Sequence, residues 1–387
     1  MLDVWPSLPL IIVSEGDYPR GSMDNIIAAL ECTDRVCQIT LRTVRSLDLD
    51  IIWAMQQPFP ELTHLLLWSD VAVVPDSFLG GSAPRLEYLS LYGVPYPGLP
   101  NLLLSATHLG YLHLSNIPHS GYISTNGMVA ALSSLTSLDH LSLEFESPRS
   151  CPDPASRRPP PNTRSVLPIL THFSFKGVSE YLDDLVACID APQLNTFNVT
   201  LFNDIVFDTP QLVRFISHTP MLKALETAYI TLQDRAATVN FLSQTSGHED
   251  FHVEILCRGL DWQVSSLEQV CTSCLPPLYI LEDLYFHEDL HLPPHWKDSI
   301  ENRLWLELLR PFVAVKDLYL SENFASRIAA ALQELVEGRM TDVLPALQNI
   351  FLKEFDSSGS VRESIGQFVA VRQVANRPIA ISPWTDS

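Results

Sequence analysis

The stretch Arg85–Ser115, RLEYLSLYGVPYPGLPNLLLSATHLGYLHLS, carries one short motif twice. Leu86-Leu89-Leu91 and Leu109-Leu112-Leu114 both read L-x-x-L-x-L, with first positions 23 residues apart. Working outward, the pattern recurs upstream at Val36-Ile39-Leu41 and Leu62-Leu65-Leu67. Downstream it recurs at Leu138-Leu141-Leu143, Leu170-Phe173-Phe175 and Leu194-Phe197-Val199. A degraded copy reads as Leu222-Leu225, and another ends at Val253-Ile255. The last three are Leu281-Leu284-Phe286, Val315-Leu318-Leu320 and Leu347-Ile350-Leu352. Proline stands two residues ahead of several copies (Pro60, Pro84, Pro168, Pro192, Pro220, Pro345), where it stops a helix before the next strand.

Between the copies lie segments with apolar spacing of three and four, which predict helices. Examples are Asp24–Glu31, Asp50–Gln57, Ser179–Ile189, Gln211–His218, Ser265–Leu275, Ser299–Phe312, Ala325–Gly338 and Ser360–Ala375. One short strand plus one helix per copy is a leucine-rich-repeat arrangement. A lone unit cannot bury its apolar face, whereas stacked units can. The expected fold is therefore an α/β leucine-rich-repeat-like solenoid, with a curved parallel sheet on the concave side and helices on the convex side. Its repeats are irregular, at 23–34 residues, and the expected domain organisation is a single solenoid over 1–387. The Asn that commonly follows such a motif is present in one copy only, as Asn323, so no asparagine ladder is expected.

Composition agrees. The chain has 387 residues and a formal charge of −21, with 24 basic against 45 acidic side chains. Its length exceeds one ordinary compact core. That charge speaks against a protein built to coat nucleic acid or an anionic membrane. Seven scattered cysteines, among them the lone pair Cys271/Cys274, read as reduced thiols. No leader or spanning segment is visible in the sequence, so the expected location is cytoplasmic or nuclear. The strand-like run Leu8–Val13 begins so close to Met1 that a further segment is expected ahead of it.

One segment breaks the array. Residues 147–166, SPRSCPDPASRRPPPNTRSV, hold six prolines and the arginines Arg149, Arg157, Arg158 and Arg164. They are expected to form an exposed loop insertion, either simply solvated or a contact for an acidic or phosphorylated partner. Two H-E-x-x-H strings, at His248–His252 and His287–His291, match a zinc-hydrolase pattern. Its chemistry needs a helix, and here the flanking residues predict strand and turn. No cofactor, metal site or catalytic residue is expected, and the chain reads as a non-enzyme. A zinc hydrolase is a distant third reading of function.

In L-x-x-L-x-L the leucines point inward and the residues between them face out. The outward positions carry rings in register: His64 and Trp68, then Tyr88 and Tyr92, then Tyr111 and His113. His140 and His172 follow, and in the C-terminal copies Tyr285 and Tyr319. Aromatic residues commonly anchor protein interfaces, although strands favour them on any face. These ten residues are the candidate partner-binding set.

Several segments are distinctive beyond the repeat: LDVWPSLP at 2–9, PFPELT at 58–63, PDSFLGGSAP at 75–84, PHSGYIS at 118–124, GVSEYL at 177–182 and IGQFVA at 365–370. They resemble F-box-containing, leucine-rich-repeat-like proteins of mushroom-forming fungi, over essentially the whole chain. The resemblance implies a repeat region that recruits a substrate to a cullin ubiquitin ligase. In that family an F-box ahead of the repeats docks a Skp-type adaptor. No F-box is found in this chain, so the resemblance is to the repeat region alone, and such an adaptor is expected as a partner only if an F-box precedes it. The partner's identity is open. The other reading is a free-standing leucine-rich-repeat scaffold or decoy with no ubiquitin link.

Overall fold

The computed structural model describes residues 8–16, 20–42, 49–68, 73–150, 164–202, 209–223, 225–243, 249–273, 278–288, 300–335, 343–353 and 359–384. The chain divides into two compact units, Met1–Thr196 and Phe197–Ser387. No described helix is long and apolar enough to cross a membrane.

In the first unit the order is β1 (Leu10–Glu15), α1 (Arg20–Leu30), β2 (Val36–Arg42), α2 (Leu49–Ala54), β3 (His64–Trp68) and β4 (Tyr88–Tyr92). Then come α3 (Leu99–Ser105), β5 (Tyr111–Ile117), α4 (Thr125–Leu132), β6 (His140–Phe145), β7 (Ser165–Val166), β8 (His172–Gly177), α5 (Ser179–Val186) and β9 (Ile189–Asp190). Strands β1-β2-β3-β4-β5-β6-β8 lie side by side in sequence order, all parallel. The two-residue strands β7 and β9 form a separate pair. The motif leucines are the core. Leu65, Leu89, Leu112 and Leu141 are fully buried, and Leu67, Leu91, Leu114 and Leu143 nearly so. Each such side chain stabilises the stack by about 1.5–3 kcal/mol relative to exposure. The helices start where their sequences allow: Pro100 sits in the first turn of α3, and Ser124 caps α4 by accepting from the Gly127 N–H at 3.2 Å.

What steps one repeat to the next is main chain. At the head of several strands, one carbonyl accepts two consecutive N–H groups of the following repeat. The Thr63 carbonyl takes Glu87 and Tyr88, and the Glu87 carbonyl takes Gly110 and Tyr111. Gly110 takes Asp139 and His140, and Asp139 takes Thr171 and His172, all at 2.8–3.1 Å. The second unit repeats the device: Glu282 accepts from Lys316 and Asp317, and Lys316 from Gln348 and Asn349. This ladder of carbonyls needs no particular side chain. It keeps the strands in step without the asparagines missing from the sequence.

The second unit departs from one strand per repeat. Its order is β10 (Thr196–Phe202), α6 (Pro210–His218), β11 (Thr227–Leu232), β12 (Ala237–Leu242), β13 (Glu249–Leu256), α7 (Leu260–Ser273) and β14 (Asp283–Glu288). After these come α8 (Asn302–Leu309), β15 (Asp317–Leu320), α9 (Glu322–Glu334), β16 (Asn349–Leu352), α10 (Gly359–Val374) and β17 (Ala380–Pro383). Its strands lie in the order β10-β13-β12-β11-β14-β15-β16-β17. Strands β11, β12 and β13 are an antiparallel meander. The meander is laid in backwards, so that β13 pairs with β10 and β11 with β14, both parallel. Only β12 is reversed. This meander is why the motif spacing fails between Leu222 and Leu281. It also corrects the phase of the degraded copy. The motif is Leu225-Ala228-Ile230, with Ala228 and Ile230 fully buried, and not Leu222-Leu225.

The named helices agree with the sequence reading to within five residues at each end; α1 opens at Arg20, four residues before Asp24, and α7 at Leu260, five before Ser265. Helices α3 and α4 supply the one helix per copy in two repeats for which no segment was named, and the final strand β17 lies past the last motif copy. The α/β leucine-rich-repeat-like class holds in both units.

Candidate functional site

The first unit's exposed sheet face carries a ladder of rings. Because neighbouring strands are parallel and in register, residues at one motif position stand in a row across them. His64, Tyr88, Tyr111, His140 and His172 are such a row. Adjacent parallel strands are about 4.8 Å apart, close to the spacing at which flat rings stack. Centroid separations along the row are 5.9, 4.4, 4.5 and 5.4 Å, with interplanar angles of 17°, 7°, 11° and 29°. Each inner ring thus has both faces covered by neighbours and one edge open to solvent. The row is fixed from the side as well: Thr63 Oγ1 lies 2.9 Å from His64 Nδ1 and Thr171 Oγ1 2.7 Å from His172 Nδ1. Burial, and then the neighbouring Tyr88, push the Tyr111 phenol up. Burial, and then His172 and His113, hold His140 below the ordinary imidazole value. At neutral pH its ring is uncharged.

A second, shorter row stands at the strand ends. Trp68 lies 4.5 Å from Tyr92, and the Arg42 guanidinium is 5.9 Å from the Trp68 ring. His113 lies between Ser90 and Ser142 in the register, 6.3 Å from the Tyr111 ring. The candidate rings of this unit therefore fall on one face, as the motif positions require.

The second unit has its own ladder. Tyr229, Tyr285, Tyr319 and Phe351 stack at 4.4, 4.0 and 4.5 Å, with angles of 13°, 7° and 9°. Trp384, just past β17, stands edge-on to Tyr285 and Tyr319 at 5.8 Å each and to His287 at 5.9 Å. The Lys353 ammonium lies 5.2 Å from the same indole. Beside the rings, one motif step back on each strand, run Thr227, Asp283, Asp317 and Asn349. Burial pushes the Asp283 carboxyl up to about 6, with Asp317, Glu282 and Glu226 adding to the rise and Lys316 opposing it. Burial and the adjacent Tyr319 raise the Tyr285 phenol strongly.

Of this second ladder the candidate set contains Tyr285 and Tyr319 only. Tyr229 is missed because its copy of the motif is phased three residues early. The alternation in Thr227–Leu232, with Tyr229 facing out and Ala228 and Ile230 in, is the signal that finds it. Trp384 lies beyond the last motif copy, and nothing in the repeat pattern points to it.

Among the loop arginines, Arg149 is exposed. Arg164 is held inside the fold: its Nη1 pairs with Asp190 Oδ1 at 2.8 Å and its Nε donates to the Ala187 carbonyl at 3.1 Å. Arg157 and Arg158 lie outside the described residues. So do His248 of the first H-E-x-x-H string and His291 of the second. Glu249–His252 of the first string belong to β13, and His287 and Glu288 of the second to β14. The described part of each string is therefore strand, whereas the zinc-hydrolase pattern needs a helix. Among the described residues no group of three or more His, Cys, Asp or Glu is placed to hold a metal.

No family model matches the chain, and no curated protein matches it. Among solved structures it is similar to the leucine-rich repeat-containing protein LegL7 from Legionella pneumophila. The identity is 12%, with 92% of this chain and 96% of that chain covered and a TM-score of 0.33. At that score the likeness carries no weight; the fold stands on the register and hydrogen bonds described above.

Proposed function

We propose that this chain is a non-enzymatic protein-recognition module, the substrate-binding repeat region of an F-box-type ubiquitin-ligase adaptor working in the cytoplasm or nucleus. One observation carries the recognition reading: five half-exposed or exposed rings, pre-stacked across adjacent strands, form a rigid platform on a sheet face. Stacking fixes each ring before a partner arrives, so little side-chain freedom is lost on binding. Aromatic anchors of this kind supply much of the free energy of protein interfaces. The ubiquitin link rests on the sequence resemblance given above. In that reading an F-box ahead of the repeats docks the Skp-type adaptor, while the ring face takes the substrate.

The test is affinity capture from cells expressing the intact gene product, with wild type beside Tyr88→Ala/Tyr111→Ala. Loss of two anchors is expected to reduce partner recovery at least tenfold, while circular dichroism stays unchanged. Undiminished recovery refutes the ring platform. Co-recovery of a Skp-type adaptor supports the ligase arm. Recovery of partner without any such adaptor moves the chain to the second reading, a free-standing scaffold or decoy.

A further inference from the structure

The two ring ladders differ in what meets their edges. In the first unit each inner ring keeps one edge open. In the second, the faces of Tyr285 and Tyr319 are taken by Tyr229, by Phe351 and by each other. Trp384 stands across their edges at 62° and 68°, and His287 completes the seat at 80°. With the tyrosine faces covered, these contacts set ring edges against the indole, a favoured T-shaped arrangement. The Lys353 ammonium lies 5.2 Å from the indole centroid, and among side chains indole attracts a cation most strongly. The seat therefore fits an aromatic side chain, and indole above all. An aliphatic one would forfeit both interactions.

What holds Trp384 there is slight. It follows β17, which ends the order of described strands and pairs on one side only, with β16. The two ends of that strand, Ala380 and Pro383, are exposed, and Pro383 has no N–H to donate. Trp384 itself is half-buried. The seat is also imperfect. His287 Nδ1 is buried with no hydrogen-bond partner among the described residues, and a buried polar atom left unpaired is destabilising. An element with few buried contacts opens more readily than the stack beneath it.

We infer that Trp384 is a removable cover, an internal ligand seated in a site for an indole side chain on the sheet face of the second unit. A partner segment that presents its own Trp to Tyr285, Tyr319, His287 and Lys353 takes the seat when Trp384 leaves it. The occupant seen in the structure selects this chemistry. The inference rests on the reading of the chain as a protein-recognition module and adds a second face, closed by the chain itself.

The experiment has two arms, both on the full chain. Hydrogen exchange of wild type, read by mass spectrometry, compares peptides covering β17 and Trp384 with peptides covering β15. Exchange at least a hundredfold faster in the former is expected, and equal rates overturn the removable cover. The second arm is ligand-observed NMR titration with N-acetyl-tryptophanamide and N-acetyl-leucinamide. It compares wild type, Trp384→Ala, Trp384→Ala/Lys353→Met and Trp262→Ala, the last removing an exposed indole from α7. Trp384→Ala is expected to bind tryptophanamide at least tenfold more tightly than wild type does, and at least tenfold more tightly than it binds leucinamide. Adding Lys353→Met weakens that binding at least threefold, and Trp262→Ala stays like wild type. Equal binding by wild type overturns the covering role. Equal leucinamide binding reduces the seat to a plain apolar hole and overturns its selectivity. The exchange arm needs no variant, so a folding defect in Trp384→Ala leaves the test standing. If Trp384→Ala ignores tryptophanamide while Tyr88→Ala/Tyr111→Ala still abolishes capture, this inference falls and the recognition reading survives. If tryptophanamide binds as expected while capture is undiminished, the ring platform of the first unit falls and the indole seat stands.

Discussion

Asp283→Asn is expected to make the protein more stable at neutral pH and no more stable in acid. The folded carboxyl titrates at about 6 against an ordinary 3.8, because the side chain is half-buried and faces Asp317, Glu282 and Glu226. Between those two pH values the folded chain holds more protons than the unfolded one, so stability falls as pH rises. The contribution of the neutral form is fully present below about 4 and lost as pH passes through 6. Taken whole, a shift of that size corresponds to ~3 kcal/mol at about 1.4 kcal/mol per pH unit. Solvent at this half-open site screens a large part, leaving about 1 kcal/mol as the expected gain at pH 7. For a unit of this size that is an upward shift of about 2–4 °C in midpoint. The assay is thermal or urea unfolding of wild type and variant at pH 3.5, 5 and 7.5. The gap is expected to be near zero at pH 3.5 and to open through pH 5. A gap that is constant with pH, or reversed at pH 7.5, refutes the electrostatic account.

Three further outcomes are expected. Leu112→Ala, at a fully buried position in the middle of the first sheet, lowers unfolding free energy by about 2–5 kcal/mol, measured by urea titration; a loss under 1 kcal/mol would mean the stack closes over the hole. Gly80→Ala is destabilising by about 2 kcal/mol, since Gly80 has φ +67° and an added Cβ would lie 2.7 Å from Pro58 Cγ and 2.9 Å from Pro58 N. Unchanged unfolding would contradict that close approach. His140 gives the first unit an acid limit. Its folded imidazole sits below the ordinary 6.5, so its contribution is complete above about 6.5 and declines as pH falls toward the folded value. His140→Phe is expected to flatten the loss of stability between pH 7 and 5, and an identical slope in the variant would exclude this ring as the cause.

The sequence made the repeats legible where one rule governs one strand. Leu65, Leu89, Leu112 and Leu141 are buried because period-two alternation and a one-sided core leave no other choice. The same rule placed Tyr88 and Tyr111 on the open face. It failed between Leu222 and Leu281, where Ala228 stands at the middle motif position and two strands intervene without helices. A motif search keyed to Leu passes over Ala228, and pairing within a meander depends on long-range partners that local pattern does not encode. The sequence also placed Asp283 and Tyr285 on one face but did not show that their neighbours leave the carboxylate uncompensated. That follows from which strands pair, and in what register. Arg164 illustrates the reverse case: basic and proline-flanked in sequence, it is tied to Asp190 through the β7–β9 pair.

The carbonyl ladder at the strand heads has a consequence for how such a chain changes over time. Where the carbonyl ladder is present the step between repeats is carried by backbone atoms, so inserting or deleting residues in a helix or loop leaves those bonds available. Unit length is then free to drift, as it does here. Rewriting an outward side chain alters the surface without loosening what aligns its neighbours. New specificities are reachable by single substitutions at positions such as 88, 111, 285 and 319, while the inward leucines stay under tight constraint.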